Sequence, residues 1–225
     1  MGKVRLAVLV SGGGTNLQAI IDRIERGELD AEIAVVISSR RSAYALERAE
    51  RHGLASVCLR PADFGSMAEY TTALLECLAL HRAELIILAG FMSVLDRRVI
   101  AAYRNRIMNI HPALIPSFCG PGMYGERVHA AALSYGVKIS GCTVMFVDEG
   151  VDTGPIILQA AVPVHDDDTV ETLAERVLAQ EHELYSRAIG LYAAGCLRLE
   201  GRRVIIQPAG PGSSQKNKEE RGEGE

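Results

Sequence analysis

Short unbroken apolar runs alternate along this chain with longer stretches in which apolar residues recur every three or four positions. Residues 3–10 form the first run, as expected for a strand buried on both faces, and it ends in Ser11, Gly12, Gly13 and Gly14. Leu17, Ile20, Ile21 and Ile24 then share one helical face within 15–26. The same reading predicts strands over 32–38, 56–59 and 85–89, and helices over 44–52 and 66–82. A helix capped by Asp96 runs to Tyr103, a brief apolar stretch occupies 107–109, and 112–127 reads as a loop rich in proline and glycine. A helix is predicted over 128–135. Residues 141–147 and 156–164 alternate like strands, a long helix capped by Asp168 covers 169–194, and a hairpin turns around Gly201.

Strands alternating with helices imply a parallel sheet joined by right-handed crossovers. The expected class is therefore α/β, a doubly wound, mostly parallel sheet flanked by helices, with a Rossmann-like N-terminal half in one domain over 1–207. From 208 to 225 the chain is mainly glycine, serine, lysine and glutamate without hydrophobic pattern, the composition of a disordered tail.

Composition narrows the functions available. Of the 225 residues 48% are apolar, yet no run reaches the roughly eighteen residues of a bilayer-spanning helix. The N-terminus lacks the pattern of a secretory signal, so a cytoplasmic location is expected. The five cysteines never form a Cys-x-x-Cys pair, which suggests neither a disulfide framework nor a zinc site. A net charge of −4 offers no general attraction for nucleic acid or acidic lipid, so an anionic ligand needs a local site.

Three segments can carry chemistry. In Ser11-Gly12-Gly13-Gly14-Thr15-Asn16-Leu17 the glycines allow a sharp turn, and the next helix presents free N–H groups to an anion. Leu17 stands where the dinucleotide fingerprint needs glycine or alanine, and the P-loop lysine is missing, so a single phosphate suits the turn better. A plain strand-to-helix turn capped by Thr15 is the other reading. In Asn109-Ile110-His111-Pro112 the alternation places an amide and an imidazole on one face at the carboxyl end of a strand, which suits stabilisation of an oxyanion; a structural histidine is the alternative. The acidic segment 148–155, with Asp148, Glu149 and Asp152, reads as a hairpin turn, and one of its carboxylates beside His111 would orient the ring and favour its charged form. No histidine or cysteine is interleaved there, so no metal is expected. Gly90 to Leu95 could form an apolar rim for a flat ring, or simply core. His52, His81, His129 and His165 are expected in polar, exposed settings without a role, and Arg40 and Arg41 in a solvated loop.

Together the segments 11–20, Leu88-Ala89-Gly90-Phe91-Met92, 109–116, 151–157 and Gln180-Glu181-His182 resemble the phosphoribosylglycinamide formyltransferases, folate-dependent transferases of purine synthesis, in that family's order from about Val4 to Leu197. The resemblance implies the formyltransferase fold, and 10-formyltetrahydrofolate and phosphoribosyl-glycinamide (GAR) as substrates. It further implies no metal, no nucleic-acid or membrane partner, and a monomer or homodimer. It assigns Asn109, His111 and Asp152 to catalysis. Gly14, Thr15 and Asn16 would hold the substrate phosphate and Glu181 its ribose. Met92, Ser93, Val94, Leu95, Asn109, Asp148 and Asp152 would bind the folate. Met67 replaces a basic residue common near the folate tail, Met145 replaces a common histidine, and the composition of 117–125 has no physical account from sequence.

Formyl-folate hydrolases and methionyl-tRNA formyltransferases share the donor but need additional chain, which the early glycine turn and a folded part ending near 207 are expected to leave no room for. An NADP-linked oxidoreductase using Arg40 and Arg41 is disfavoured by Leu17, and a non-enzymatic nucleotide-binding module is the remaining rival. Removing 208–225 is expected to leave turnover and melting temperature nearly unchanged, because the segment has too few apolar residues to dock. A steady-state assay and thermal melt of the truncated chain check this; a large loss in either contradicts it.

Overall fold

A computed structural model describes residues 2–208. Five strands, β1 (Val4–Val10), β2 (Ala31–Ser38), β3 (Ser56–Cys58), β4 (Leu85–Leu88) and β5 (Ile107–His111), pair in parallel, and β6 (Ile139–Phe146) and β7 (Ile156–Pro163) add an antiparallel edge. The seven strands lie in the order β3-β2-β1-β4-β5-β6-β7. The helices are α1 (Thr15–Glu25), α2 (Tyr44–Arg51), α3 (Met67–Leu80), α4 (Arg97–Ala102), α5 (Glu126–Tyr135) and α6 (Val170–Ala193), and a small hairpin of β8 (Leu197–Glu200) and β9 (Arg203–Ile206) follows. The expected α/β architecture is thus present, with residues 209–225 outside the described part.

The two-residue period of β1 divides the core. Leu6, Val8 and Val10 pack with α1, α2 and α6 on one face, while Ala7 and Leu9 pack with α3 and α4 on the other. Both faces being covered explains why β1 and β4 read as unbroken apolar runs, with Leu6 to Val10 and Leu85 to Ile87 fully buried. Each buried aliphatic side chain contributes about 1.5–3 kcal/mol of transfer free energy.

Element boundaries depart from expectation in a few places. β5 runs on to His111, because Ile110 and His111 pair with Val144 and Thr143 of β6, a long-range contact that local pattern does not contain. The cap of α6 is Thr169, in a reciprocal capping box with Thr172. Asp168 instead pairs with Arg176 and accepts from the Thr172 hydroxyl. A 3-10 turn at Pro61–Asp63 was not anticipated. No helix among the described residues is long and apolar enough to cross a membrane.

The buried face of α6 carries Leu173, Val177, Glu181, Leu184, Tyr185 and Ala188 at helical spacing. Tyr185 is fully buried, and its hydroxyl lies 2.8 Å from the Met108 carbonyl and 3.0 Å from that of Leu88, so one donor ties α6 to β4 and β5. Replacing Tyr185 with phenylalanine removes this donor at nearly constant shape, and a loss of about 1–2 kcal/mol is expected. For a chain of this size that lowers Tm by about 2–8 °C. An unchanged melting temperature would show that the two carbonyls do not need the donor.

Candidate active site

The order β3-β2-β1-β4-β5 places the strand-order reversal between β1 and β4, and ligand crevices in open α/β sheets form beyond the carboxyl ends of the strands at such a point. Three of the sequence-predicted segments meet there. The Ser11 hydroxyl accepts from the Met92 N–H at 2.8 Å and lies 2.6 Å from the Ser39 hydroxyl, joining the turn after β1 to the rim after β4. Along that rim Met92 and Val94 are exposed and Leu95 is buried, with Ser93 between.

Asn109 and His111, two apart on β5, turn to the same side as the period requires. Asp152 approaches both from the loop between β6 and β7. Its Oδ1 lies 3.4 Å from Asn109 Nδ2, and its Oδ2 lies 3.6 Å from His111 Nδ1. The His111 side chain is 5% exposed and that of Asp152 9%, so their interaction is little screened by water. Asp152 has φ 56°, a left-handed conformation that Asp tolerates better than most residues.

The segment 117–125, opaque in sequence, closes this arrangement with backbone atoms. His111 Nε2 lies 2.9 Å from the Phe118 carbonyl, to which it donates when it carries a proton, and the Gly120 N–H donates to Asp152 Oδ2 at 3.1 Å. Phe118 at φ 49° and Gly120 at φ 93° make the reversals that aim these two groups. Beneath them the buried Thr143 hydroxyl donates to Ala113 O and accepts from Ile115 N, anchoring the chain just after His111. A buried threonine opposite His111 is a signal that the sequence holds only once the register of β5 and β6 is known.

At the other end of the crevice Gly14 takes φ 71° at the start of α1, which has no side-chain cap. The reading of Thr15 as a cap is therefore not met; Thr15 is the first helical residue and is exposed. Asn16 is buried and its Nδ2 donates to Glu181 Oε2 at 2.8 Å, so two residues expected to touch one ligand are joined across α1 and α6. Burial raises the Glu181 carboxyl above its ordinary value, partly offset by the Asn16 donor. Asp148 accepts from Gly150 N and the Thr153 hydroxyl, which stiffens its own loop.

His129 departs from expectation: it is 5% exposed, on the inward stripe of α5 with Val128 and Ala132. Its alanine neighbours gave no contrast from which to read a buried face. Burial, and secondarily the charge of His111, holds its ring below the usual histidine range. Arg40 and Arg41 are exposed, as expected.

Residues 4–189 match the model of the formyl transferase family. The chain belongs to that family. A phosphoribosylglycinamide formyltransferase from Bacillus subtilis is 39% identical over 185 residues, covering 82% of this chain and 92% of that protein. A trifunctional purine biosynthetic protein adenosine-3 from Drosophila pseudoobscura pseudoobscura is 46% identical over 196 residues, 86% of this chain, which spans only 14% of that relative's length. The crystal structure of glycinamide ribonucleotide transformylase 1 from Symbiobacterium toebii superposes with a TM-score of 0.87 at 49% identity, covering 92% of this chain and 95% of that one.

Within this formyl transferase fold Glu181 is the buried acid whose state depends on pH. Its carboxyl is raised, so the stability contributed by the neutral form is complete below about 4.5, the ordinary value, and is lost as pH rises through the raised value. Glu181→Gln does not titrate and can still accept from Asn16. The difference in melting temperature, variant minus parent, is expected to become more positive from pH 4 toward neutrality. A difference independent of pH in thermal melts would refute the linkage.

Proposed function

We propose that the chain transfers the formyl group of 10-formyltetrahydrofolate to the amine of N1-(5-phospho-β-D-ribosyl)glycinamide in de novo purine synthesis. The carrying observation is the convergence of Asn109, His111 and Asp152 at the end of β5, at the same carboxyl edge of the sheet where Ser11 and Met92 join the glycine turn to the rim after β4. Kinship with phosphoribosylglycinamide formyltransferases supports the same reading. The phosphate is assigned to the N–H groups at Gly14, Thr15 and Asn16, and the ribose to Glu181. The exposed apolar Met92 and Val94, with Ser93 and Leu95, fit a flat pterin, which Asn109 and the segment from Asp148 to Asp152 enclose.

In this reading the substrate amine attacks the formyl carbon, and an oxyanion develops. Asn109 Nδ2 stands 3.4 Å from Asp152 and His111 Nδ1 3.6 Å, both longer than a well-formed hydrogen bond, so neither group is committed to the carboxylate. Both can turn toward the developing negative charge, and such prepositioned donors supply a large part of catalysis in acyl transfer. Asp152 balances an imidazolium at His111, while Phe118 O holds its far nitrogen. The proton for the leaving folate nitrogen comes from His111 or through water. The chemistry calls for no metal or covalent intermediate, since the amine is itself the nucleophile. Catalysis is assigned to 1–207, in the cytoplasm, as a monomer or homodimer with only small-molecule substrates.

Asp152→Asn tests the centre of this reading. Asparagine tolerates the left-handed backbone and can still accept from Gly120 N–H, so Tm should change little. With its oxygen kept on Gly120 N–H, its NH2 would meet the Asn109 amide with a donor of its own, and His111 would lose the negative charge beside it. Turnover is expected to fall on the order of 10²-fold, the scale of acid–base assistance. Wild-type turnover in a steady-state assay would remove Asp152 from the mechanism.

A further inference from the structure

The glycine turn is held open by α2. The first turn of α2 donates from Ala45 N to the Gly12 carbonyl at 3.1 Å, and Arg48 donates from Nε to the Gly13 carbonyl at 2.8 Å. A trans peptide unit points its N–H opposite to its C=O. Fixing the carbonyls of Gly12 and Gly13 toward α2 therefore aims the N–H groups of Gly13 and Gly14 away from it. Neither N–H has an acceptor among the described residues, and the uncapped N–H groups of α1 follow directly. Successive N–H groups so arranged form an anion-binding concavity.

Arg48 is itself fixed. Its Nη1 donates to Gln18 Oε1 at 3.0 Å, its guanidinium lies 4.9 Å from the Tyr44 ring centre, and the Gln18 amide is oriented by donation to Asp22. Its stem also packs beside Gly14, where an added Cβ would stand 2.7 Å from Ala45 Cβ and 3.5 Å from Arg48 Cδ. Arg48 thus spans the turn and the second turn of α1.

We propose that Arg48 is a positioning residue for the phosphate-binding turn, setting the preference for a phosphorylated over an unphosphorylated glycinamide. It acts by holding the Gly13–Gly14 peptide with its N–H outward, and this rests on the function proposed above. Arg51 is the control: it stacks on the same Tyr44 ring at 5.2 Å and pairs with Glu47, but has no hydrogen bond to the turn.

Arg48→Met keeps the stem over Gly14 and removes the donors. KM for the phosphorylated substrate is expected to rise about tenfold or more, the scale of hydrogen bonds from a charged donor, with kcat and the folate KM nearly unchanged. Arg48→Lys should recover part of the loss, and Arg51→Met should show none. Calorimetric binding of ribose 5-phosphate should weaken in parallel in Arg48→Met, which reads the turn without formyl transfer. If wild-type protein binds ribose 5-phosphate and Arg48→Met loses it while no formyl transfer occurs, the functional reading fails and the positioning of the phosphate-binding turn by Arg48 stands. The proposal is overturned by an unchanged KM and unchanged ribose 5-phosphate affinity in Arg48→Met. It is overturned equally by an Arg51→Met loss of the same size, which would mean diffuse charge, or by a wild type that binds no ribose 5-phosphate.

Discussion

Burial of the central strands on both faces is the constraint from which the remainder of the molecule follows. With helices on either side, β1 and β4 can carry almost nothing but aliphatic side chains, since a polar group between the layers would lose its water without finding a partner. Polar chemistry is thereby confined to the places where strands stop. At the carboxyl edge the chain leaves β1 through three glycines, leaves β4 along an apolar rim, and leaves β5 on a histidine. The Tyr185 hydroxyl, a polar group between the layers, is spent on strand carbonyls of β4 and β5 close to that edge.

Much of this was legible in the chain. The unbroken runs, the helical spacing of Leu17, Ile20 and Ile21, and the glycines after Val10 follow from local geometry, so α/β class and the turn could be read directly. Asn109 and His111 could be placed on one face by counting two residues. Partnership with Asp152 could not be derived that way, because 43 positions separate it from Asn109 and only the β6–β7 hairpin returns it. That pairing came from family resemblance, with the geometry of a hydrogen-bonded carboxylate arriving only with the fold.

What escaped was of two kinds. One buried polar residue was misplaced and another passed over where the local pattern lacks contrast: His129 sits among alanines, and Thr143 is recognisable as an anchor only through its position across from His111. Glu181 did carry a signal, a carboxylate at a core position of the apolar stripe of α6, which flags either a ligand contact or a paired acid. The second kind is contact made by main-chain atoms, which leaves no trace in residue identity. The roles of Phe118, Gly120 and Gly13 all belong there.

That second kind has a consequence for how the 117–125 segment can change. Phe118 meets His111 through its carbonyl and Gly120 meets Asp152 through its N–H, so the chemistry reads the path of the chain and ignores most of its lettering. Substitutions along this stretch are then limited chiefly by permitted backbone angles, at the reversals of 118 and 120, and by the packing of the Phe118 ring on Tyr135 and the core. A designer could rewrite those letters, or graft the bend onto another scaffold, and preserve the electrostatic frame around the imidazole so long as the curve itself is kept.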